Sequence, residues 1–197
     1  MADPKTIAVY DARAAEYATG NARDEPWHML VSFRDAMPAG GRVLDLGCGP
    51  GASAGHFAQH GLQVDAWDAS AEMVALAAQV DGVTAKQAVF ADLDVRDLYD
   101  GIWANFSLLH APRADMSAHL AAIRAALKPG GLFHIALKEG ENAARDSIGR
   151  QYTYYTMEEL TGLLLDAGLQ PGDFTTGEEE GLDGTMARWI ATQARAI

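Results

Sequence analysis

The chain has 197 residues, 49% of them hydrophobic and 21% charged, enough for one domain with a substantial core. Its 15 Lys+Arg against 27 Asp+Glu leave a net charge of −12, a field that repels a phosphate backbone and an anionic membrane surface. The single cysteine, Cys48, excludes a disulfide framework and a cysteine-based metal cluster.

The N-terminal stretch carries acids and no long apolar core, so no signal peptide is expected, and no apolar run approaches the ~18 residues of a membrane span. The expected location is the cytoplasm. Residues 5–19 place Ile7, Ala8, Tyr10, Ala14, Ala15 and Tyr17 on a helical stripe ended by Gly20. A second helix is predicted from about Pro26 to Ala36, with proline at its first position. Strand and helix then alternate. RVLDLG reads as a strand, GASAGHFAQHG as a helix closed by Gly61, LQVDAWD as a strand, and SAEMVALAAQ as a helix with Ser70 as N-cap. TAKQAVFA is a weaker strand and YDGIWANFSLL a stronger one. Residues 113–128 form an Ala- and Leu-rich helix stopped by KPGG, and GLFHIAL is the next strand.

Residues 138–151 are polar and predict a surface loop. TMEELTGLLLDAG starts as a capping box, Thr156 with Glu159, and LQPGDFTT and TMARWIATQA are the last two strands. The short acidic link Glu178–Gly184 has no room for a crossover helix, so those two strands should pair antiparallel. The expected fold class is α/β: a doubly wound, mainly parallel seven-stranded Rossmann-like sheet with an antiparallel last strand and helices on both faces. A single domain over 1–197 is expected, divided into a helical cap (1–40), a cofactor-binding core (41–138), and a lid loop, helix and terminal strand pair (139–197).

The stretch VLDLGCGPGAS puts Asp45 inside an apolar strand, just ahead of Gly47, Gly49 and Gly51. Gly47-x-Gly49-x-x-Ala52 also fits a dinucleotide turn, with Asp68 ending the next strand, and so leaves an NAD-dependent oxidoreductase open. Against that reading, Asp45 adds negative charge near the phosphate position and Pro50 removes one amide from the cradle. A cationic ligand gives a buried Asp45 a reason to be charged.

VLDLGCGPG, VDAWDAS, FADLD, YDGIWANFSLLH and LKPGG follow one another in the order and spacing of the class I S-adenosylmethionine-dependent methyltransferases, which the chain resembles from about Tyr10 to Trp189. The resemblance implies S-adenosyl-L-methionine as cofactor. It places Gly47, Cys48, Gly49 and Gly51 beneath the methionine part with Asp45 close by, Asp68 on the ribose hydroxyls with Ala69 and Met73 adjoining, and Asp92 and Leu93 by the adenine. Asn105 and Phe106 lie on the strand that floors the reaction site, and Tyr17 belongs to a helix that covers the cofactor. Asn105-Phe106-Ser107-Leu108 lacks the prolines of the DNA adenine enzymes, so a small-molecule acceptor is expected, with no nucleic acid and no membrane partner, in a monomer or homodimer. The alternative is a cofactor-binding module or partner subunit that keeps the fold without turnover.

Methyl transfer from a sulfonium is an in-line displacement on an activated carbon; it requires no metal, and a base only where the acceptor must lose a proton. His110 and Tyr152 are the candidate catalytic side chains, and His56, His60 and His119 show no metal-ligand spacing. For the acceptor the candidates are Tyr10, His110, Arg145, Arg150, Tyr152 and Tyr154. Four of these lie in a loop that gathers cations and tyrosines in an acidic chain and is expected to close as a lid on an anionic group of the acceptor.

Overall fold

Alternate residues of the strand Arg42–Leu46 (β1) serve two different cores, which is why apolar residues fall on both of its faces. A computed structural model describes residues 3–20 and 27–197. Val43 joins Phe33 and Phe57 on one face, while Leu44 and Leu46 join Ile102, Phe133 and Leu120 on the other. β1 pairs in parallel with Gln63–Asp68 (β2) and Tyr99–Asn105 (β4). Beyond them lie Val83–Gln87 (β3) next to β2 and Leu127–Lys138 (β5) next to β4. The last strands are Leu169–Glu180 (β8) and Met186–Ala196 (β9), and the sheet order is β3-β2-β1-β4-β5-β9-β8. Only β9 runs against its neighbours, inserted between β5 and β8, so the expected antiparallel pairing holds.

His28–Asp35 (α3) and Ala52–Gln59 (α4) cover one face through Phe33 and Phe57. Gly101 in β4 lets α3 approach: a Cβ there would come within 2.6 Å of Phe33 and of the Met37 sulfur. Met116–Ala126 (α6) and Met157–Asp166 (α7) cover the other face with Leu120, Ile123, Leu160 and Leu164. Ala71–Ala77 (α5) follows β2, and Ser70 caps it as expected, its hydroxyl accepting from the Met73 amide at 3.1 Å.

Several sequence expectations need correction. The helix expected over 5–19 is two, Pro4–Ala12 (α1) and Ala14–Gly20 (α2), divided at Arg13, whose φ of −120° leaves the helical region. Asp3 caps α1. Pro26, the expected start of the next helix, lies outside the described residues. The helix expected over 113–128 begins only at Met116, after a 3₁₀ turn at Arg113–Asp115, and ends at Ala126, where Leu127 turns extended to begin β5. The capping box of α7 is half formed: the Thr156 hydroxyl accepts from the Glu159 amide, but the Glu159 carboxylate pairs with Arg113.

The polar stretch 138–151 lies at the surface as expected over residues 141–145, but it is not an irregular loop throughout. Ala143–Arg145 (β6) pairs with Gln151–Thr153 (β7) as a hairpin, and Arg150 and, just beyond the stretch, Tyr152, Thr153 and Tyr155 are buried. One of its ion pairs is internal and buried: Arg150 Nε donates to Asp146 at 2.7 Å, both side chains being at most 5% exposed.

Candidate active site

The chain crosses over between β1 and β4, so their C-terminal ends diverge and leave the crevice in which doubly wound sheets bind ligands. A cavity of about 760 Å³ opens there. Gly47 makes the crevice tight: its φ is +80°, and a Cβ on it would stand 2.2 Å from that of Ser107. Ser107 in turn donates to the Leu46 carbonyl at 2.6 Å and so joins the ends of β1 and β4. The amides of this turn are taken up internally. Gly47 and Cys48 both donate to the Trp67 carbonyl, Gly49 donates to Asp68, and Gly51 to Cys48. Pro50 has no N–H, so the turn offers little to a pyrophosphate.

Two carboxylates face this turn. Asp45 is 3% exposed, its Oδ2 is buried without a hydrogen-bond partner, and burial followed by the charge of Asp68 pushes its carboxyl up to about 7. Asp68 is better solvated by the chain: its oxygens accept from the amides of Gly49 and Ser70, each at 2.9 Å. Burial nevertheless raises its pKa. Cys48 is buried, burial holds its thiol protonated, and its sulfur lies 3.4 Å from the Gly49 carbonyl oxygen.

α1 lies across the crevice and is tied at both ends. Asp11 accepts from Ser70 at 2.6 Å at the start of α5. Thr6 accepts from the Gln151 amide at 2.8 Å, and Asp3 holds Arg145 through two 2.8 Å bonds. Between these ties Tyr10 reaches His110. The His110 Nδ1 lies 2.6 Å from the Gln151 carbonyl, which can only accept, so Nδ1 carries the proton and Nε2 accepts from the Tyr10 hydroxyl at 2.8 Å. Arg150 Nη1 donates to the same hydroxyl at 3.2 Å. Burial lowers the imidazole pKa to about 4 and raises that of the Tyr10 phenol, so the pair is neutral near pH 7.

A second cavity of about 300 Å³ adjoins the first, and Tyr10, Tyr17, Phe106, His110 and Glu179 line both. Tyr17 packs edge-on against Tyr10, with ring centroids 5.7 Å apart across the helix break at Arg13.

Of the residues expected at the site, Tyr10, Tyr17, Asp45, Gly47, Cys48, Gly49, Gly51, Asp68, Ala69, Met73, Asn105, Phe106 and His110 line the large cavity. Arg150 and Tyr152 line the second cavity. Asp92, Leu93, Arg145 and Tyr154 line neither: Asp92 accepts from the Val89 amide, Leu93 packs in the core, and Arg145 is tied to Asp3. The lining also includes residues the sequence did not single out for the site. Val89, Phe90 and Ala91 precede Asp92 in the chain, Trp27 comes from the start of α3, and Trp189 and Glu180 come from the β8–β9 hairpin. His134 is neutral and fully buried, stacked 3.6 Å from Trp103, and its Nε2 bonds Asn105 Oδ1 at 3.1 Å, which fixes the orientation of that amide. Among the described residues no cluster of His, Cys, Asp and Glu could hold a metal, and no helix is long and apolar enough to cross a membrane.

Comparison with known proteins adds to this geometry. A family model described as a methyltransferase domain matches residues 43–131. The S-adenosyl-L-methionine-dependent Diels-Alderase iccD of Talaromyces variabilis is 32% identical over 145 residues, 68% of this chain and 48% of that protein. A ubiquinone biosynthesis O-methyltransferase of Xanthomonas axonopodis pv. citri is 33% identical over 193 residues, 83% of this chain and 80% of that protein. The chain thus spans about half the length of the first relative and four fifths of the second. Among solved structures, the 1,6-didemethyltoxoflavin-N1-methyltransferase of Burkholderia thailandensis, with bound 1,6-didemethyltoxoflavin and S-adenosylhomocysteine, is similar at a TM-score of 0.75 and 25% identity. That likeness covers 100% of this chain and 91% of the other.

Proposed function

The chain belongs to the S-adenosylmethionine-dependent methyltransferase family, and on that premise we propose that it transfers a methyl group from S-adenosylmethionine to a small organic acceptor. The observation that carries this reading is the buried Asp45, with one oxygen unpartnered, on a glycine turn whose amides are already engaged. An anionic phosphate is poorly served there, whereas a ligand with a sulfonium and an ammonium fits a buried carboxylate with one oxygen unmet. When bound, the cofactor supplies a methyl group on a positively charged sulfur.

The protein's share is to bind, align and exclude water. Asp68 keeps lone pairs beyond its two amide bonds and would accept from the ribose hydroxyls. Asp45 would face the cationic methionine part, with Tyr17 over the glycine turn. Phe90 and Met73 would flank the purine. Tyr10, on the wall shared by both cavities, would meet the acceptor's proton. Its own proton would pass to Nε2 of His110, whose Nδ1–H stays on the Gln151 carbonyl, while the Arg150 guanidinium steadies the phenol oxygen. His110 thus acts through Tyr10, and Tyr152, tilted 4.8 Å from it, serves as wall. The anionic acceptor expected from the sequence loses support, since Arg145 and Arg150 each already hold a carboxylate.

Calorimetric titration of S-adenosylmethionine against NAD tests the cofactor; binding of NAD in preference to S-adenosylmethionine would overturn the reading. A thermal-shift screen of metabolites on the protein with S-adenosylhomocysteine bound, followed by mass detection of methylated product, tests the transfer. A second reading, use of the cofactor without consuming it, is favoured by the similarity to the Diels-Alderase. An acceptor-dependent reaction that yields no S-adenosylhomocysteine would select it.

A further inference from the structure

We propose that the cavity of about 300 Å³ is the acceptor site and that it selects a planar aromatic or heteroaromatic ring bearing a neutral hydrogen-bond-accepting oxygen or nitrogen. The inference rests on the reading of the adjoining 760 Å³ cavity as the cofactor site.

Shape comes first. Tyr10, Tyr17, Phe106, His110, Tyr152 and Trp189 give the smaller cavity six rings in its wall. Flat walls of this kind match the faces and edges of another ring, and the volume, at the low end for ligand pockets, holds a compact ring system rather than a long chain. The indole of Trp189 is seated for this purpose. Gly177 stands opposite it across the β8–β9 ladder, and a Cβ on Gly177 would come within 2.3 Å of the indole ring. The ring therefore lies against bare backbone, edge-on to Phe106 at 6.1 Å.

Polarity comes second. Two donors from residues of this wall are buried with no hydrogen-bond partner, Nη2 of Arg150 and Nε1 of Trp189. Native interiors rarely leave such groups unmet, so the wall favours a ligand that accepts hydrogen bonds over one that donates them. The charges beside these donors are already compensated. Asp146 neutralises Arg150, and Lys138 lies 4.1 Å over the Tyr152 ring within the field of Asp183 and Glu179. Glu180 adds negative charge to the lining. A carboxylate or phosphate would meet that repulsion, whereas a carbonyl, phenolic oxygen or ring nitrogen takes the two N–H groups without it.

The test titrates three probes into the full chain with S-adenosylhomocysteine bound: 7-hydroxycoumarin at a pH below its ionisation, decahydro-2-naphthol, and 2-naphthoate. 7-Hydroxycoumarin should bind saturably, with the saturated alcohol and the anion at least tenfold weaker. Trp189→Phe keeps a ring but removes the N–H and should weaken the coumarin about fivefold, the loss of one neutral hydrogen bond. Gly177→Val, which drives the indole out of place, should abolish its binding. No saturable coumarin binding, equal binding of the three probes, or an unchanged coumarin affinity in both variants would overturn the assignment. S-Adenosylmethionine affinity measured on the same samples separates the two readings. Intact cofactor binding with no coumarin binding defeats only the acceptor site, while lost cofactor binding in the unmutated chain defeats the methyltransferase reading itself.

Discussion

Asp45 should make cofactor binding depend on pH. Its carboxyl sits at about 7, against 3.8 for an ordinary aspartate, because burial and Asp68 both oppose its charge. A cationic ligand binds the ionised form, so affinity follows the ionised fraction, half at pH 7 and about 1% at pH 5. The expected loss over that range is about fiftyfold, or about 2 kcal/mol. Below pH 7 the ligand's own amino group stays protonated and does not contribute. Calorimetry in two buffers of different ionisation enthalpy should also register proton release on binding near pH 6. Asp68 is raised too, so Asp45→Asn isolates the Asp45 part: it should flatten most of the pH dependence and weaken S-adenosylmethionine more than S-adenosylhomocysteine. The same shift has a stability consequence. Between pH 4 and 7 the folded protein holds a proton that the unfolded chain has released, so stability falls as pH rises, by up to about 4 kcal/mol. Without ligand, Asp45→Asn should therefore melt above the unmutated protein at pH 8 and close to it at pH 4. An affinity unchanged from pH 5 to 7, with no proton release, would refute this account of Asp45.

Asp68→Ala should cost the cofactor about 2–4 kcal/mol, since hydrogen bonds to a charged acceptor are lost; unchanged calorimetric affinity would sink the ribose assignment. Tyr10→Phe should leave cofactor affinity within about twofold and lower turnover of the identified acceptor by tenfold or more; unchanged turnover removes Tyr10 from the proton route. Arg150→Ala strands Asp146 and should destabilise by about 3–5 kcal/mol, whereas Arg145→Ala, at an exposed pair, should cost far less in denaturant titration. Gly47→Ala should cost more than about 2 kcal/mol, and Ser107→Gly in the same chain should relieve the clash but not restore stability, since the left-handed backbone and the lost Ser107–Leu46 hydrogen bond each still cost about 1 kcal/mol.

The crevice was legible because its parts are local. Asp45, the glycines and Asp68 sit on strands whose apolar runs and turn residues announce themselves, and Ser70 caps where a serine before a helical run should. The hairpin over residues 143–153 was not legible, for a physical reason. Buried apolar residues declare themselves one at a time, but a buried ion pair such as Arg150–Asp146 reads as two solvated charges until its geometry is known. Tyr10 and His110 meet across a separation of 100 residues, and Trp189 joins them from the β8–β9 hairpin. No spacing along the chain encodes those meetings. Arg13 gives no sequence sign of the break between α1 and α2, since neither glycine nor proline marks it.

The placement of β9 bears on how the chain is made. Residues 186–196 come last among the strands, yet they fill the gap between β5 and β8. A nascent chain whose residue 185 has just left the ribosome can pair β3, β2, β1, β4 and β5, but the open edge of β5 and all of β8 must wait. In that interval Phe133 and Ile135 have backbone on one side with nothing to bond, and β8 has no strand to join. Completion therefore turns on a late insertion rather than on addition at an outer edge, the kind of non-local step that slows folding and leaves a strand open to wrong pairing. Synthesis that stalls shortly before residue 186 should yield a species that chaperones hold and proteases cut, although the glycine turn and both of its carboxylates are already present.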